Sequence, residues 1–334
     1  MKILKKLLFS FAMLLMLSLT SKAQENVTDL LSGSLIDANT LAKAYLEPFG
    51  KGFGASLNSG WYNTAKPHKL GGFDITFTIA TAVPPSSAKT FDVSKLNLNY
   101  WELQTPANNL SPTVSGAKED GSILIPQTTV PGITPQLTLP QGANLKFIPA
   151  PMIQAGIGLP FNTEVDFRIL PKIKIPDTGE FSLWGFGIKN EFKEFIPGLK
   201  AVPINISAFF GYTKFKSSFD AEQSGNANSN QKLNFDASGY TTRLLISKSI
   251  PVLTIYAGVG YSKTTTNVDL KGNYNLPING VNTTVTDPIA LDFINKGMSA
   301  NLGLRIKLAI IAFHFDYTFG QYKIYNAGFG INFR

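Results

Sequence analysis

A histidine and an aspartate stand two residues apart near the carboxyl end of the chain. In "AIIAFHFDYTF" (309–319), His314 and Asp316 alternate with apolar residues, so on an extended strand their side chains point the same way. A histidine oriented by a carboxylate can activate a serine nucleophile, as in a lipid hydrolase. No serine is marked by its position, and the alternative is a polar network that balances Arg305, His314 and Asp316. The sequence therefore predicts no enzyme and no catalytic residue.

Other short motifs give weaker evidence for a binding or catalytic site. "GKGFG" (50–54) lacks the spacing of a phosphate-binding loop. "DPIALDF" contains Asp287 and Asp292, which could bind calcium, but a solvated loop is the ordinary interpretation. His68, in "KPHKLGG", is expected in a surface turn, and the absence of cysteine excludes disulfides and thiolate metal sites. We predict no metal and no cofactor.

A larger set of polar residues falls on one side of alternating segments, and we expect these side chains to face a common interior. They are Glu164, Asp166, Arg168, Lys189, Glu191, Arg243, Arg305, Lys307, His314 and Asp316. Their mixed signs predict internal salt-bridge networks or a transverse field across a narrow pore. They do not predict strong ion selectivity.

The elements that carry these residues alternate with the period of a β-strand. In "TEVDFRI" (163–169), Val165, Phe167 and Ile169 oppose the polar residues between them. The same alternation recurs along the chain and reaches the terminal "YNAGFGINFR". Charged residues make up only 16% and aromatic residues 12% of the chain, and no apolar run is long enough for a membrane helix. These features indicate either a β-sandwich or a membrane β-barrel.

Two observations favour the barrel. The polar face is rich in glycine, which weakens a solvated strand but leaves room inside a barrel for a plug or a ligand. Short connections ("LPFN", "SIPV") alternate with long ones (105–144, 217–234 and 272–296), although "PDTG" and "GQ" are short where long ones are expected.

We therefore predict an all-β fold, a transmembrane antiparallel up-and-down barrel of about 12 strands within a range of 10–14. The predicted strands lie near 52–62, 71–82, 97–104, 145–157, 163–173, 180–192, 203–215, 235–248, 252–266, 298–307, 310–319 and 324–333. A barrel must pair its last strand with its first, which explains alternation up to the terminus.

The amino-terminal residues predict export. Lys2, Lys5 and Lys6 precede the apolar run 7–19 and a small-residue site, so we expect a signal peptide, 1–23, cut between Ala23 and Gln24. Four lysines lie in this peptide, so cleavage lowers the formal net charge from +8 to +4. Such a mild excess on an exported chain argues against nucleic acid as a partner.

Residues 24–51 form a second region, ahead of the barrel at 52–334. "TLAKAYLEPF" predicts a short helix with Asp37 or Asn39 as N-cap, ending before Pro48. Glycine-rich "GKGFGASLNSG" is expected to turn the chain into the first strand. The helix either plugs the lumen or rests on the periplasmic rim.

Three stretches carry a resemblance to known proteins: "LAKAYLEPFGKGFGASLNSGWYNTAK" (41–66), "PMIQAGIGLPFNTEVDFRILP" (151–171) and the last strand with its aromatic Phe333. They resemble an uncharacterised family of outer-membrane barrels from Bacteroidota, distantly similar to the long-chain fatty-acid transporter barrels, in which an amino-terminal segment plugs the lumen. The resemblance implies a location in the outer membrane of a Gram-negative bacterium, contact with membrane lipid and recognition by the outer-membrane assembly machinery. Its motifs are structural, so it assigns no functional residue.

Three functions follow as hypotheses. The first, which we favour, is a passive transporter or porin-like pore for small molecules, including a small hydrophobic ligand. The second is a structural or surface-interaction barrel with a filled lumen. The third is an outer-membrane lipid hydrolase that uses His314.

Overall fold

The computed structural model describes residues 34–104, 108–128, 136–176, 178–199, 201–220, 231–278 and 281–333. The predicted signal peptide lies outside them. One long helix, α1 (Leu35–Leu57), precedes all the strands. Within the described residues, no helix is both long and apolar enough to cross a membrane.

Ten strands form the main sheet, and each pairs antiparallel with its neighbours. They are β1 (Phe73–Val83), β7 (Ile148–Leu159), β8 (Thr163–Ile175), β9 (Gly179–Glu191), β10 (Asn205–Asp220), β11 (Lys232–Ser249), β12 (Leu253–Lys271), β15 (Ile289–Leu308), β16 (Ile311–Phe319) and β17 (Lys323–Phe333). The sheet closes because β1 pairs with both β7 and β17, with Phe73 opposite Phe333. The predicted barrel is confirmed, and the last strand completes the wall.

The remaining strands are short and lie in the connections. They are β2 (Thr90–Asp92), β3 (Trp101–Leu103), β4 (Leu110–Pro112), β5 (Ile123–Pro126), β6 (Leu137–Thr138), β13 (Asn273–Ile278) and β14 (Val281–Thr286). They form separate two- and three-stranded sheets outside the barrel.

Two of the twelve predicted barrel strands were wrong. Residues 52–57 belong to α1, and residues 58–62 form no strand. The predicted strand 97–104 contains only β3, which pairs with β5 outside the barrel. The boundary predicted at residue 52 therefore falls inside the helix, and the barrel wall begins at Phe73.

The two ends of the barrel differ. We call the end with residues 160–162, 250–252 and 309–310 the turn end; the opposite end, with 84–104, 108–128, 136–147 and the β13–β14 hairpin, is the loop end. In outer-membrane barrels short turns face the periplasm and long loops face outside. The connections at 176–178 and 320–322 are short although they lie at the loop end, as the sequence indicated.

Apolar side chains cover the outside of the wall. Phe167, Ile255, Phe315 and Phe329 are each about half exposed. A row of tyrosine and tryptophan follows strands β9–β12, β16 and β17 towards the loop end: Trp184, Tyr212, Tyr240, Tyr261, Tyr317 and Tyr325. Between such interfacial aromatic rows, an outer-membrane barrel meets lipid.

Helix α1 lies inside the barrel, where it packs against β1, β7, β11, β12 and β15. It begins at N-cap Ser34 near the loop end, and residues 58–72 continue through the lumen to the turn end, where β1 starts. We call residues 34–72 the plug. The sequence left a periplasmic helix open as an alternative, and the structure places the helix in the lumen.

The helix differs from its prediction at both ends. Neither Asp37 nor Asn39 is the N-cap, because the helix begins one turn earlier at Ser34. The carboxylate of Asp37 instead accepts from the backbone N–H groups of residues 99, 100 and 101 at the loop end. Pro48 lies within the helix rather than after it. One turn earlier the carbonyl of Tyr45 accepts from the N–H of Val114, so tertiary contacts stabilise the helix around the proline.

Glycine lets the plug and the wall approach closely. A Cβ on Gly52 would meet Ile148, and one on Gly54 would meet Thr264 at 2.7 Å. "GKGFG" is therefore not a turn but part of α1, in which Gly52 faces β7 and Gly54 faces β12. Helix propensity alone does not favour a helix here, since each glycine costs about 1 kcal/mol relative to alanine.

The wall provides a matching socket for Trp61. A Cβ added to Gly211 would lie 2.8 Å from the indole, and one on Gly185 or Gly187 about as close (3.0 and 3.1 Å). These three glycines lie on the adjacent strands β9 and β10, and Trp61 is 2% exposed. Phe209, an apolar residue on the otherwise polar or small inward face of β10, packs against Trp61 at a centroid distance of 5.8 Å.

We expect Gly211→Val to destabilise the folded barrel by about 1–3 kcal/mol, because the added side chain overlaps the indole and the wall cannot relax freely. Thermal unfolding in detergent, followed by the loss of the fast-migrating folded band on an electrophoresis gel, measures the change. Ala208→Val on the outward face of the same strand is the control and should leave the midpoint unchanged. Equal midpoints for both variants would contradict the socket.

Candidate functional site

Arg168 joins the plug to the wall at the middle of the lumen. Its guanidinium lies 3.6 Å from the centre of the Trp61 ring and is 1% exposed. It donates to two plug carbonyls, Leu57 O at 3.0 Å and Ser59 O at 2.7 Å, and its Nε donates to Gln154. One buried cation therefore holds the point where α1 ends, through charge-assisted hydrogen bonds and a cation–π contact.

Further polar bonds tie the plug to the wall on either side of Arg168. Ser56 Oγ donates to the carbonyl of Ile148 at 2.7 Å and accepts from the N–H of Ala82 at 2.8 Å. Towards the turn end, Ser207 donates to the carbonyl of Ala65. These groups are buried, so breaking a bond leaves a polar atom without water and costs free energy.

A polar cavity of about 190 Å³ lies between the plug and the wall at the turn end. We call it the turn-end chamber. Glu164 and Lys189, opposite each other on the adjacent strands β8 and β9, form a buried ion pair in its wall, with Oε1 and Nζ 2.6 Å apart. Glu164 also accepts from the backbone N–H of His68 at 2.7 Å. The predicted surface position of His68 was wrong: the ring lies 3.4 Å from Asp74.

Asp166 lines the same chamber and is 2% exposed. Its Oδ1 accepts from Gln154 at 3.0 Å, and Gln154 donates in turn to the plug carbonyl of Trp61 at 2.8 Å. Asp166 therefore helps to hold the plug through Gln154.

A second polar group surrounds Asp316 deeper in the lumen. The carboxylate accepts from the Tyr256 hydroxyl at 3.0 Å and from Asn326 at 2.8 Å, and Asn326 also donates to Ser59 of the plug. Asp316 thus orients a plug contact and is 2% exposed.

The hydrolase arrangement does not form in the described part of the chain. The ring Nε2 of His314 lies 3.2 Å from Thr78 Oγ1, and its Nδ1 is buried without a hydrogen-bond partner among the described residues. The carboxylate of Asp316 accepts hydrogen bonds from Tyr256 and Asn326. These partners give His314 no serine to activate.

The other predicted interior residues are partly buried. Arg243 donates to the carbonyl of Ser299 at 3.0 Å and to two neighbouring hydroxyls. Glu191 accepts from Asn205 at 2.7 Å at the turn end, and Lys307 donates to Asn332 at 2.6 Å. Arg305 lines the turn-end chamber beside Lys307.

The two loop aspartates already have protein partners. Asp287 accepts from the N–H of Gly272 at 2.9 Å and pairs with Lys271, and these contacts lower the pKa of its carboxyl. Asp292 pairs with Lys43 of the plug at 2.9 Å. Among the described residues, no cluster of three or more acids and histidines could hold a metal ion.

The barrel wall contains a gap between β7 and β8. The two strands pair only from Gln154–Arg168 to Leu159–Thr163. Beyond that, residues 148–153 pair with β1 alone and residues 169–175 with β9 alone. We call this unpaired stretch the seam. The seam runs towards the loop end and lies beside residues 77–82 of β1. Strand β1 has 11 residues, about the length needed to cross a bilayer.

Proline accounts for the seam. The N–H and C=O groups of Gly158 both bond on the side of β1. Successive residues of a strand direct these groups to opposite sides, so the odd-numbered residues of β7 direct theirs to β8. Pro149 and Pro151 occupy such positions in the seam and have no N–H to donate. On β8, Pro171 lies in the bulge between Leu170 and Ile173. The sequence feature that indicates the seam is the pair of alternating prolines in "IPAPM", which the strand prediction did not take into account.

Apolar side chains lie behind the seam. Ile148, Ala150 and Met152 point into the lumen and are buried in a cluster with Phe53 and Leu57 of the plug. Lipid on one side and an apolar core on the other are thus separated by a wall that lacks part of its hydrogen-bond ladder.

Solved structures with a similar chain path are bacterial membrane-barrel proteins. The Ail attachment invasion locus protein of Yersinia pestis is 7% identical, with 79% of this chain and 98% of that chain covered and a TM-score of 0.28. The translocator domain of the autotransporter NalP from Neisseria meningitidis is 11% identical, with 80% and 89% covered and a TM-score of 0.31. A comparison with curated proteins finds no match. The model of a family of unknown function (DUF6588) matches residues 1–333.

We expect Arg168→Met to loosen the plug, because two buried carbonyls and the Trp61 ring lose their partner at about 1–3 kcal/mol per unsatisfied group. Single-channel recording in planar bilayers should show more frequent or larger openings than for the wild type. Lys174→Met, an exposed change on the same strand, is the control. Recordings from Arg168→Met that match the wild type would contradict this anchoring role.

Proposed function

We propose, from the premise that the chain belongs to the DUF6588 family of unknown function, that this outer-membrane β-barrel is a passive transporter for small apolar molecules. In this proposal the seam is the route of passage, and the plug closes the lumen to water. The seam carries the proposal, because it interrupts the wall where lipid faces one side and apolar plug residues face the other.

The filled lumen favours a lateral route over an axial one. Helix α1 and residues 58–72 occupy the barrel from the loop end to the turn end, and Trp61 with Arg168 closes its middle. A water-filled pore would need these contacts to break. An apolar molecule that enters through the seam meets an apolar cluster that includes Met152 and Phe53.

The same proposal includes location and assembly. The predicted signal peptide would direct export, and Phe333, close to the end of the last strand, would be read by the outer-membrane assembly machinery. The partners would be membrane lipid around the wall and a small hydrophobic ligand in the seam, with no nucleic acid. The chain would not act as an enzyme, in line with the partners of His314.

Closing the seam should block transport. The double variant Pro149→Val, Pro151→Val restores two N–H donors that point to β8, so we expect the strands to pair further and the route to narrow. Uptake of a small apolar fluorophore into lipid vesicles should be faster with the wild type than with empty vesicles. The double variant should fall back to the empty-vesicle rate.

Pro251→Val in an exposed connection at the turn end is the matched control and should transport like the wild type. A folded double variant that retains wild-type uptake would count against the seam as the route. Wild-type uptake no faster than that of empty vesicles would count against transport altogether.

The anchoring of the plug favours a second candidate, a structural or surface-interaction barrel with a permanently filled lumen. Its loop end is capped by small sheets that pack Leu41 of the plug against Trp101 and Leu124. Such a barrel would leave vesicles unchanged for every solute in liposome-swelling and dye-uptake assays. Transport through the seam instead predicts uptake of apolar solutes with no swelling response to sugars.

Deleting residues 25–50 should open an axial path. The deletion removes most of α1, so ions should cross the remaining barrel, and the single-channel conductance should rise above that of the closed wild type. The matched control keeps the full chain and carries Lys43→Gln, which removes only the exposed pair with Asp292. A folded deletion variant that stays closed would show that α1 does not block the lumen.

A further inference from the structure

The turn-end chamber differs in chemistry from the seam. It lies towards the turn end from the Trp61–Arg168 contact, whereas the seam runs towards the loop end from the Gln154–Arg168 pair. Among the described residues that line it, none is Leu, Ile, Val, Met or Phe. Lys66 and Lys69 are exposed and mark its mouth. Trp61, Tyr62 and Pro67 are the least polar residues of this lining, and the remainder is polar or charged, so the chamber suits a water-soluble molecule.

Charge is distributed unevenly around this chamber. The acids Asp74, Glu164 and Asp166 lie on β1 and β8, whereas Arg305 and Lys307 lie on β15. In barrel order, β15 and β8 are separated by β16, β17, β1 and β7. One side of the chamber thus presents carboxylates, with Lys189 of β9 paired to Glu164, and another side presents Arg305 and Lys307.

The acids nearest to Arg305 already have partners. Asp74 accepts from Thr76 Oγ1 at 2.7 Å and from the N–H of Gly156 at 3.1 Å. Glu164 holds Lys189 at 2.6 Å. Asp74 and Glu164 are therefore bonded without Arg305, whereas Asp166 accepts from Gln154 through Oδ1 and its Oδ2 is buried without a hydrogen-bond partner among the described residues.

Arg305 itself lacks a bonded partner in the described part of the chain. Its Nε is buried without a hydrogen-bond acceptor, and no carboxylate lies within ion-pair distance. A buried guanidinium normally has a carboxylate or phosphate across from it, because its planar donors match two oxygens of one anion. Lys307, two residues along and on the same face of β15, adds a second cation.

We propose that the turn-end chamber binds a small, water-soluble oxyanion, a phosphate or carboxylate, held by Arg305 and Lys307. The volume of about 190 Å³ equals the space of about six water molecules, which is sufficient for inorganic phosphate or a short carboxylic acid. The exposed lysines at the mouth attract anions from the turn-end solution. This site goes beyond the proposed transport of apolar molecules and does not depend on it.

Isothermal titration of inorganic phosphate into the detergent-solubilised full chain tests the proposal. We expect saturable binding by the wild type and a loss of at least about tenfold in affinity in Arg305→Gln, the size expected when charge-assisted hydrogen bonds are removed. Lys307→Gln should weaken binding less, because Arg305 remains. Lys248→Gln, an exposed cation of β11 outside the chamber lining, should bind phosphate like the wild type.

Folding of each variant is checked by the electrophoretic shift of the heated against the unheated protein. Should Arg305→Gln not fold, the affinities of Lys307→Gln and Lys248→Gln decide the question. The proposal is overturned when the wild type shows no saturable heat with phosphate or acetate, or when the folded chamber variants bind as tightly as the control. Neither result affects the uptake assays, since binding is measured without transport.

Discussion

Backbone hydrogen bonding in a medium without water governs this architecture. Each N–H and C=O group of a strand in lipid needs a protein partner, so the sheet must close on itself. The pairing of β1 with β17 over its whole length, from Phe73–Phe333 to Val83–Lys323, meets that requirement. The seam is the one region of the described wall where adjacent barrel strands run side by side over several residues without pairing. There, the prolines of β7 reduce the number of donors that must be satisfied.

Closure then creates an interior that has to be filled. Side chains of the plug fill spaces beside wall glycines, and side chains of the wall fill spaces beside plug glycines. Trp61 enters a socket of wall glycines, while Ile148 of the wall enters the space left by a plug glycine. Hydrogen bonds between polar groups make the remaining contacts between the plug and the wall, and Arg168 lies at their centre. Because cavities and unpaired polar atoms are both costly, the plug is positioned closely even though its only covalent link to the wall is the peptide bond that leads into β1.

The interior is divided by chemistry. An apolar section surrounds Phe53 and lies behind the seam, whereas the turn-end chamber is lined by charged and polar groups. The Trp61–Arg168 contact separates them. A molecule that suits one section does not suit the other, which is why an apolar route and an oxyanion site can exist in one small barrel.

Strand periodicity determined the all-β class and the side of the wall on which each residue lies, and the inward glycines with the alternating connection lengths indicated a barrel rather than a sandwich. The outward row with Phe167 and Phe329 followed from a period of two, which leaves each strand residue only two directions. Local sequence did not determine what the lumen contains. Propensity predicted a turn at "GKGFG" and a helix end before Pro48, but burial inside the barrel outweighed both preferences. The partners of Arg168, the unpaired state of Arg305 and the seam depend on strands far apart in the chain, so only the closed tertiary structure decided them.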